Sequence, residues 1–409
     1  MTIAADRNLA AHVPAGWSVV ALKEVLLTSQ YGLNSPSGNG GAVPIVGMKD
    51  IQGGRVDVTS LASIDIDGKI LEAYRLRPGD ILLNRTNSPD LVGKIGIFTG
   101  DVLAVFASYL VRLQANSKII IPHFLNAWLN AAPVQHIINR VATRAISQAN
   151  INPTRFLDEC FVPIPPLPEQ RRIAAILGTW DAAIEKTERL VDAAQRQFEA
   201  LRTELYREDG SEERMTFDDF LDESRIPGND GSTARKLTVR LYGKGIEPKQ
   251  DRTAGSANTR YYVRKSGQFI YSRLDFLNGA FAVVPDHLDG FQSTLDLPAF
   301  DIAPHVNPIW LLNYVTRPAY YENQQNLARG QRVARRVNPD DLLASEIAVP
   351  TRERQDEIAA ILTLCIDEIR NTRSVVAALR RQKSGLMQKL LTGKIRVPEA
   401  VADLSPAAD

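Results

Sequence analysis

The chain has 409 residues, too many for one compact domain, with an ordinary composition of 44% hydrophobic and 23% charged residues. No apolar run approaches the ~18 residues needed to span a bilayer, and Met1–Ala11 lacks the basic and apolar regions of a secretion signal, so a cytoplasmic location is expected. Cys160 and Cys365 form no CxxC and the five histidines are scattered, which argues against a disulfide framework and a zinc site, while a net charge of +1 leaves nucleic-acid binding to be decided by charge distribution.

The first region, Pro14–Phe161, contains short apolar runs separated by Gly, Asn, Asp and Pro. Ile45–Met48, Ile81–Leu83 and Ile95–Phe98 read as strands, and Phe124–Leu129 as a short helix. After Pro163, Pro165, Pro166 and Pro168 the pattern becomes helical. The 4-3 spaced series is Ile173, Leu177, Trp180, Ile184, Thr187, Val191, Ala194, Phe198, Leu201 and Leu205. The second region, Met215–Ile347, has strand-like Phe269–Tyr271 and Ala280–Val284 and a short helix near Trp310–Tyr314. A second 4-3 series follows Pro350: Ile358, Leu362, Cys365, Ile369, Thr372, Val376, Leu379, Lys383, Leu386 and Leu390, with Gly393 as a C-terminal cap. A mostly apolar period of 3.5 residues sustained over this length is a coiled-coil seam.

The chain repeats itself. Ile164–Tyr206 aligns with Val349–Leu391 without a gap at a shift of 185, placing Gln170 on Gln355, Ile173-Ala-Ala-Ile-Leu177 on Ile358-Ala-Ala-Ile-Leu362, and Arg196-Gln197 on Arg381-Gln382. The globular regions echo each other more weakly. Tyr74-Arg-Leu-Arg-Pro-Gly-Asp-Ile-Leu-Leu-Asn-Arg85 parallels Tyr262-Val-Arg-Lys-Ser-Gly-Gln-Phe-Ile-Tyr-Ser-Arg273 at a shift of 188. Pro122-His-Phe-Leu parallels Pro308-Ile-Trp-Leu, and Asn152-Pro153 parallels Asn338-Pro339, at a shift of 186. The predicted fold is therefore α+β with an internal pseudo-two-fold repeat: a domain over 1–162, a long helix over 163–207, a second domain over 208–348, a second long helix over 349–392, and a tail over 393–409. A first helix of roughly 39 residues is ~58 Å long. The following connection of about ten residues reaches at most ~35 Å. The two helices are thus expected to run antiparallel, with one domain toward each end.

Catalytic motifs are not apparent. Asn307-Pro-Ile-Trp310 resembles a methyltransferase motif superficially but has no glycine-rich strand–helix partner, and reads as a turn entering a short helix. Gly38-Asn-Gly-Gly41 lacks the Lys-Ser/Thr of a phosphate loop. Asp80 and Asp275 have no accompanying Glu-x-Lys and read as solvated turn residues. DNA binding has more support. Arg225–Asp275 holds 11 Lys/Arg against 4 Asp/Glu, interleaved with Tyr242, Tyr261, Tyr262 and Tyr271. From it Lys244, Tyr271 and Arg273 are candidate contacts, joined by Arg329, Gln331, Arg332, Arg335 and Arg336 of the Arg-rich stretch 329–336. Between Pro44 and Gly100 the first domain has 7 basic and 7 acidic residues, so its candidates rest on polar loops: Asn84, Arg85, Thr86, Asn87, then Lys94, and the polar run Arg144, Ser147, Gln148 and Asn150. Basic residues on phosphates give affinity, and Arg, Gln and Asn on base edges give sequence choice. Loop capping and a solvated charged face compete with this reading at every one of these positions.

The sequence resembles a type I restriction–modification specificity (S) subunit. The resemblance is carried by Pro14-Ala-Gly-Trp17, Gly79-Asp-Ile-Leu-Leu-Asn-Arg85, Asn150-Ile-Asn-Pro153, Ile164-Pro-Pro-Leu-Pro-Glu-Gln170, Ile173–Leu177 and Leu390-Leu-Thr-Gly-Lys-Ile395. It covers nearly the whole chain. The second copy departs from it, with Thr351-Arg-Glu-Arg-Gln355 in place of Pro-Leu-Pro-Glu-Gln and Lys383 where the first seam has Phe198. The resemblance implies a non-catalytic subunit whose two target-recognition domains each read half of a bipartite, asymmetric site in double-stranded DNA, with the helices setting the gap. It also implies two methyltransferase (modification) subunits and restriction/translocase subunits as partners. S-adenosylmethionine, ATP and Mg2+ would act in those partners, and no cofactor is expected in this chain. A coiled-coil scaffold that binds only proteins is the competing class, and an enzyme fused to its reader a third.

Overall fold

The computed structural model describes residues 13–34, 40–88, 91–144, 149–208, 210–250, 255–329 and 335–397. They form two compact units, one of Met1–Glu188 with Ser374–Asp409 and the other of Arg189–Arg373. The division passes through both long helices, Leu167–Leu205 and Arg352–Leu391, rather than along the ends of the helices. Each unit therefore holds one globular part and half of either helix.

Within the first unit the helix halves are antiparallel. Asp181 meets Lys383 at 2.5 Å, and further along the first helix Glu188 meets Arg380, further back on the second. Ile173 and Leu177 share a core with Leu390 and Leu391. In the second unit Gln195 accepts a hydrogen bond from Arg373 at 3.1 Å. Burial along the seam is uneven. Ile173, Leu177, Ile184, Val191, Phe198, Ile358, Leu362, Ile369 and Val376 are all under 10% exposed, whereas Trp180, Leu201 and Leu386 are only half-buried. A pair of helices encloses one central row fully and leaves the flanking row open on one side. Beside Leu201, Arg202 is the buried residue, its guanidinium 5.2 Å from the Phe198 ring.

Both globular parts are built on the same antiparallel sheet. In the first unit the strands are β1 (Leu26–Tyr31), β2 (Ile81–Asn84), β3 (Ile95–Ile97) and β4 (Leu110–Ala115), in the order β1-β4-β2-β3, with Arg55–Val56 and Ile51–Gln52 added beyond β3. In the second they are β5 (Leu221–Ser224), β6 (Phe269–Tyr271), β7 (Phe281–Val283) and β8 (Ala299–Ile302), in the order β5-β8-β6-β7. The register agrees as well: Leu113 lies opposite Ile81, and Phe300 opposite Phe269. The peripheral strands differ. The first unit adds a three-stranded sheet through Val43–Val46, the second a three-stranded sheet through Arg260–Val263 and a separate hairpin, Leu237–Val239 with Ile246–Pro248.

The helix junctions repeat too. Gln170 is fully buried, accepts the Ile121 N–H at 2.8 Å and donates to the carbonyls of Ile119 (3.0 Å) and Pro165 (2.8 Å). Gln355, 1% exposed, accepts the Asn307 N–H at 2.7 Å and donates to His305 (3.3 Å) and Pro350 (2.9 Å). Each carboxamide ties the start of a long helix to the start of a short one, Pro122–Leu129 or Pro308–Val315, whose first N–H groups have no partner inside their own helix. At the second of these Asn307 caps the helix, accepting from the N–H groups of Ile309 and Trp310, as a turn entering a short helix requires.

Asp80 is a correction to the sequence reading. It is not a solvated turn residue but 4% exposed. Its carboxylate accepts the Arg77 N–H at 3.0 Å and the Gln114 amide at 3.2 Å, and lies 3.5 Å from Arg112. In the second unit Gln268 does the same task, accepting the Lys265 N–H at 2.9 Å and donating to Asp301 at 2.9 Å. Asp275 is half-buried and closes a turn with Ser272.

Candidate nucleic-acid interface

The end of the central strand is the point where candidate residues collect in each unit. In the first, β2 ends at Asn84 and the chain turns through Arg85 into the short strand Thr86–Asn87. That strand pairs with Ala149–Ile151, which pairs with Ala142–Arg144. The Arg85 carbonyl accepts the Ile151 N–H at 2.8 Å. Arg85 Nη1 and Thr86 Oγ1 both donate to Asn150 Oδ1, at 3.2 and 2.9 Å. The guanidinium lies 5.0 Å from the Tyr31 ring. Tyr31 is 52% exposed and Tyr109, whose carbonyl accepts the Arg85 N–H, is 47% exposed. An exposed tyrosine with a stacked arginine can meet a base or sugar with the ring and a phosphate or base edge with the cation.

The other first-unit candidates divide. Lys94 is exposed, and Asn87 accepts the Ser88 N–H at 2.8 Å. Thr86 is buried and committed to Asn150. Asn84 is a correction: it has no exposed surface, so it does not present its amide to DNA. Among the described residues neither its Oδ1 nor its Nδ2 has a hydrogen-bond partner. Gly93 donates to the Asn84 carbonyl with φ +83, and a Cβ there would stand 2.2 Å from Ile138, so this turn requires glycine. The backbone of Arg144 lies on its strand. Ser147 and Gln148 lie outside the described residues.

In the second unit the Arg273 carbonyl accepts the Val337 N–H at 3.0 Å, and Arg273 Nη2 donates to Asn338 Oδ1. The short strands Ala328–Arg329 and Arg336–Val337 pair beside it. Arg329 is bound to Asp341, Arg336 lies 3.7 Å from Asp296, and Arg335 is exposed. Gln331 and Arg332 lie outside the described residues. Lys244 is exposed, 5.8 Å from the ring of Tyr242, which is 60% exposed and holds a left-handed backbone at φ +58. That conformation is pinned by Tyr242 N–H to Asn278 and Gly243 N–H to Gly279, both 2.8 Å.

Two corrections apply here. Tyr271 is fully buried among Phe269, Phe276 and Phe300, and its hydroxyl donates to the Val337 carbonyl, so it is a core residue. Burial also pushes the phenol's pKa far up. The basic run is likewise not wholly a surface. Arg264 is fully buried and donates to Ser293 Oγ and the carbonyls of Ser224 and Leu297, desolvation lowering its pKa to about 10. Lys236 is 8% exposed against Tyr261, and Arg225 and Arg240 are paired with Glu223 and Glu247. Among the described residues no three His, Cys, Asp or Glu side chains gather as a metal site, and no helix is long and apolar enough to cross a membrane.

Residues 14–192 match the model of the type I restriction modification DNA specificity domain. The chain is 26% identical to the type I restriction enzyme MjaX specificity subunit of Methanocaldococcus jannaschii over 94% of this chain and 95% of that protein. It is 27% identical to the EcoBI specificity subunit of Escherichia coli over 44% of this chain and 38% of that one. Two solved structures share the fold. One, 18% identical with a TM-score of 0.56, comes from work on complex assembly and conformational transition of the type I R-M system and covers 94% of this chain and 99% of its own. The other is the type I S subunit from M. genitalium, 12% identical with a TM-score of 0.57 over 93% and 96%. The chain is thus similar to type I restriction–modification specificity subunits over nearly its whole length, and its residues 14–192 fit the model of their DNA specificity domain.

Proposed function

We propose that this chain is the DNA sequence-specificity subunit of a type I restriction–modification complex, each unit reading one half of a bipartite, asymmetric site in double-stranded DNA. The observation that carries this is the duplicated sheet: one strand order and one register serve twice, while the strands and loops around the end of the central strand differ between the copies. A shared scaffold with unlike edges suits two readers of unlike half-sites.

In this reading the chain is a non-catalytic adaptor. Methyl transfer with S-adenosylmethionine and ATP- and Mg2+-dependent translocation and cleavage belong to two methyltransferase subunits and to restriction subunits. Exposed apolar side chains on the long helices, Leu190 (56%), Ile361 (37%) and Leu364 (71%), support a protein-docking role for the helices. The test is co-expression with the methyltransferase subunits followed by modified-base sequencing of host DNA. A two-part adenine motif that disappears without this chain is the expected result. Methylation unchanged without it, or no binding to DNA at low salt, would favour a scaffold that binds only proteins. Removing seven residues from both long helices keeps the seam in phase and shortens each by about 10 Å; an unaltered motif gap would show that the helices do not set it.

A further inference from the structure

We infer that Arg85 with Asn150, and Arg273 with Asn338, are base-reading devices of one design, with equivalent arginines and with asparagines from different points of the repeat (Asn338 aligns with Asn152): the arginine contacts a base-pair edge of duplex DNA, and the asparagine is a positioning residue that fixes the guanidinium plane. The inference rests on the DNA-reading function proposed above.

The two arginines stand at the same point of the repeat. Each follows the central strand of the shared sheet, and each carbonyl accepts an N–H from the strand preceding a short helix, Ile151 or Val337. In both, one terminal nitrogen is held by an asparagine Oδ1: Nη1 of Arg85 by Asn150 and Nη2 of Arg273 by Asn338. In both, Nε is buried and has no partner among the described residues. In both, the remaining terminal nitrogen has no partner among the described residues. Arg112 and Arg172 also leave a buried Nε without a partner, so the unused terminal nitrogen is the distinguishing mark: Arg264 and Arg112, which serve the fold, have both terminal nitrogens used. These two have unused donors at the edge of the site.

The choice of asparagine has a physical consequence. A carboxylate in its place would form an ion pair and cancel the charge that attracts DNA, as Asp341 does for Arg329. Neither Arg85 nor Arg273 makes an ion pair among the described residues. The neutral carboxamide orients the planar fork and leaves its charge available. In the first unit Tyr31 covers one face as well. A fork fixed in plane is the geometry that reads guanine O6 and N7 together.

The experiment uses the full chain assembled with its methyltransferase subunits. Asn150→Ala and Asn338→Ala are compared with wild type by modified-base sequencing and by binding to the wild-type site and single-base variants of it. Asn150→Ala is expected to relax one position of one half-site by about 5- to 150-fold, the discrimination of one bidentate contact, and to leave the other half unchanged. Asn338→Ala should do the converse. Arg85→Lys, which keeps the charge and loses the fork, should relax the same position as Asn150→Ala. Equal weakening on every sequence would make the arginines phosphate contacts and overturn the inference, as would relaxation in both halves from either single change. A wild-type complex with no two-part motif would instead refute the DNA-reading function. A wild-type motif untouched by Asn150→Ala and Arg85→Lys refutes this inference alone.

Discussion

Replacing Gln170 by leucine isolates what holds the first long helix to its domain. The carboxamide has no exposed surface and serves three backbone groups, the Ile121 N–H and the carbonyls of Ile119 and Pro165. Leucine fills most of the volume and serves none. Each buried backbone group left without a partner costs about 1–3 kcal/mol. Ile119 is at the surface, 37% exposed, so water can replace the lost donor there. Two orphaned groups remain, giving an expected loss of about 2–6 kcal/mol. Gln355→Leu repeats the experiment in the second unit, where the same three kinds of group are lost. Urea unfolding measures both. Trp310 is the only tryptophan of the second unit, so its fluorescence reports that unit. Hydrogen exchange should show the Ile121 amide exposed in Gln170→Leu and the Asn307 amide in Gln355→Leu. A loss below about 1 kcal/mol with both amides still protected would refute the role of these clamps.

Burial beside Arg55 lowers the pKa of His123 below its ordinary 6.5, desolvation being the larger cause. The unfolded chain therefore binds this proton more readily, and the contribution of His123 is retained above pH 6.5 and lost as pH falls below it. His123→Gln should flatten that part of a stability–pH curve, and an unchanged slope in urea midpoints would contradict the assignment. Ile361→Lys with Leu364→Lys should weaken association with methyltransferase subunits about 10-fold or more, with helix content unchanged by circular dichroism. Equal affinity would place docking elsewhere. Tyr242→Gly relieves the left-handed backbone and should stabilise the fold by up to about 1 kcal/mol, while lowering DNA affinity through loss of the exposed ring beside Lys244. A gel shift that does not move would take Tyr242 out of the interface.

The long helices and the repeat were legible because a 3.5-residue period and a gapless self-alignment are local properties of the chain. Which seam rows are enclosed was not, because that depends on how many helices surround the row. The strands Ile81–Leu83 and Phe269–Tyr271 were also legible, but not their place at the centre of a sheet. A central strand buries both faces, so Asn84 and Tyr271 go inside despite their polar groups. The same blindness put Arg264 on an imagined surface. Tyr31 and Tyr109 were missed, since they sit at a strand end and a turn with no periodic pattern to mark them. The signal available was an aromatic residue opening the polar, glycine-rich stretch that begins Tyr31-Gly-Leu-Asn-Ser.

The turn capped by Asp80 in one unit and Gln268 in the other also constrains how the two copies drifted apart. In the first the acid is on the turn and the amide on β4, Asp80 with Gln114; in the second the amide is on the turn and the acid on β8, Gln268 with Asp301. Donor and acceptor have traded strands. Changing one residue at a time from either state leads through two amides or through two acids. Two acids would set like charges side by side with one of them buried, whereas two amides keep a neutral hydrogen bond and the cap on the turn. In the first unit the two-amide state also takes from Arg112 the carboxylate 3.5 Å away, while leaving that arginine its bonds to the Arg75 and Ala73 carbonyls. The route between the halves therefore runs through glutamine at both positions, and Asp80→Gln should fold with a loss of stability.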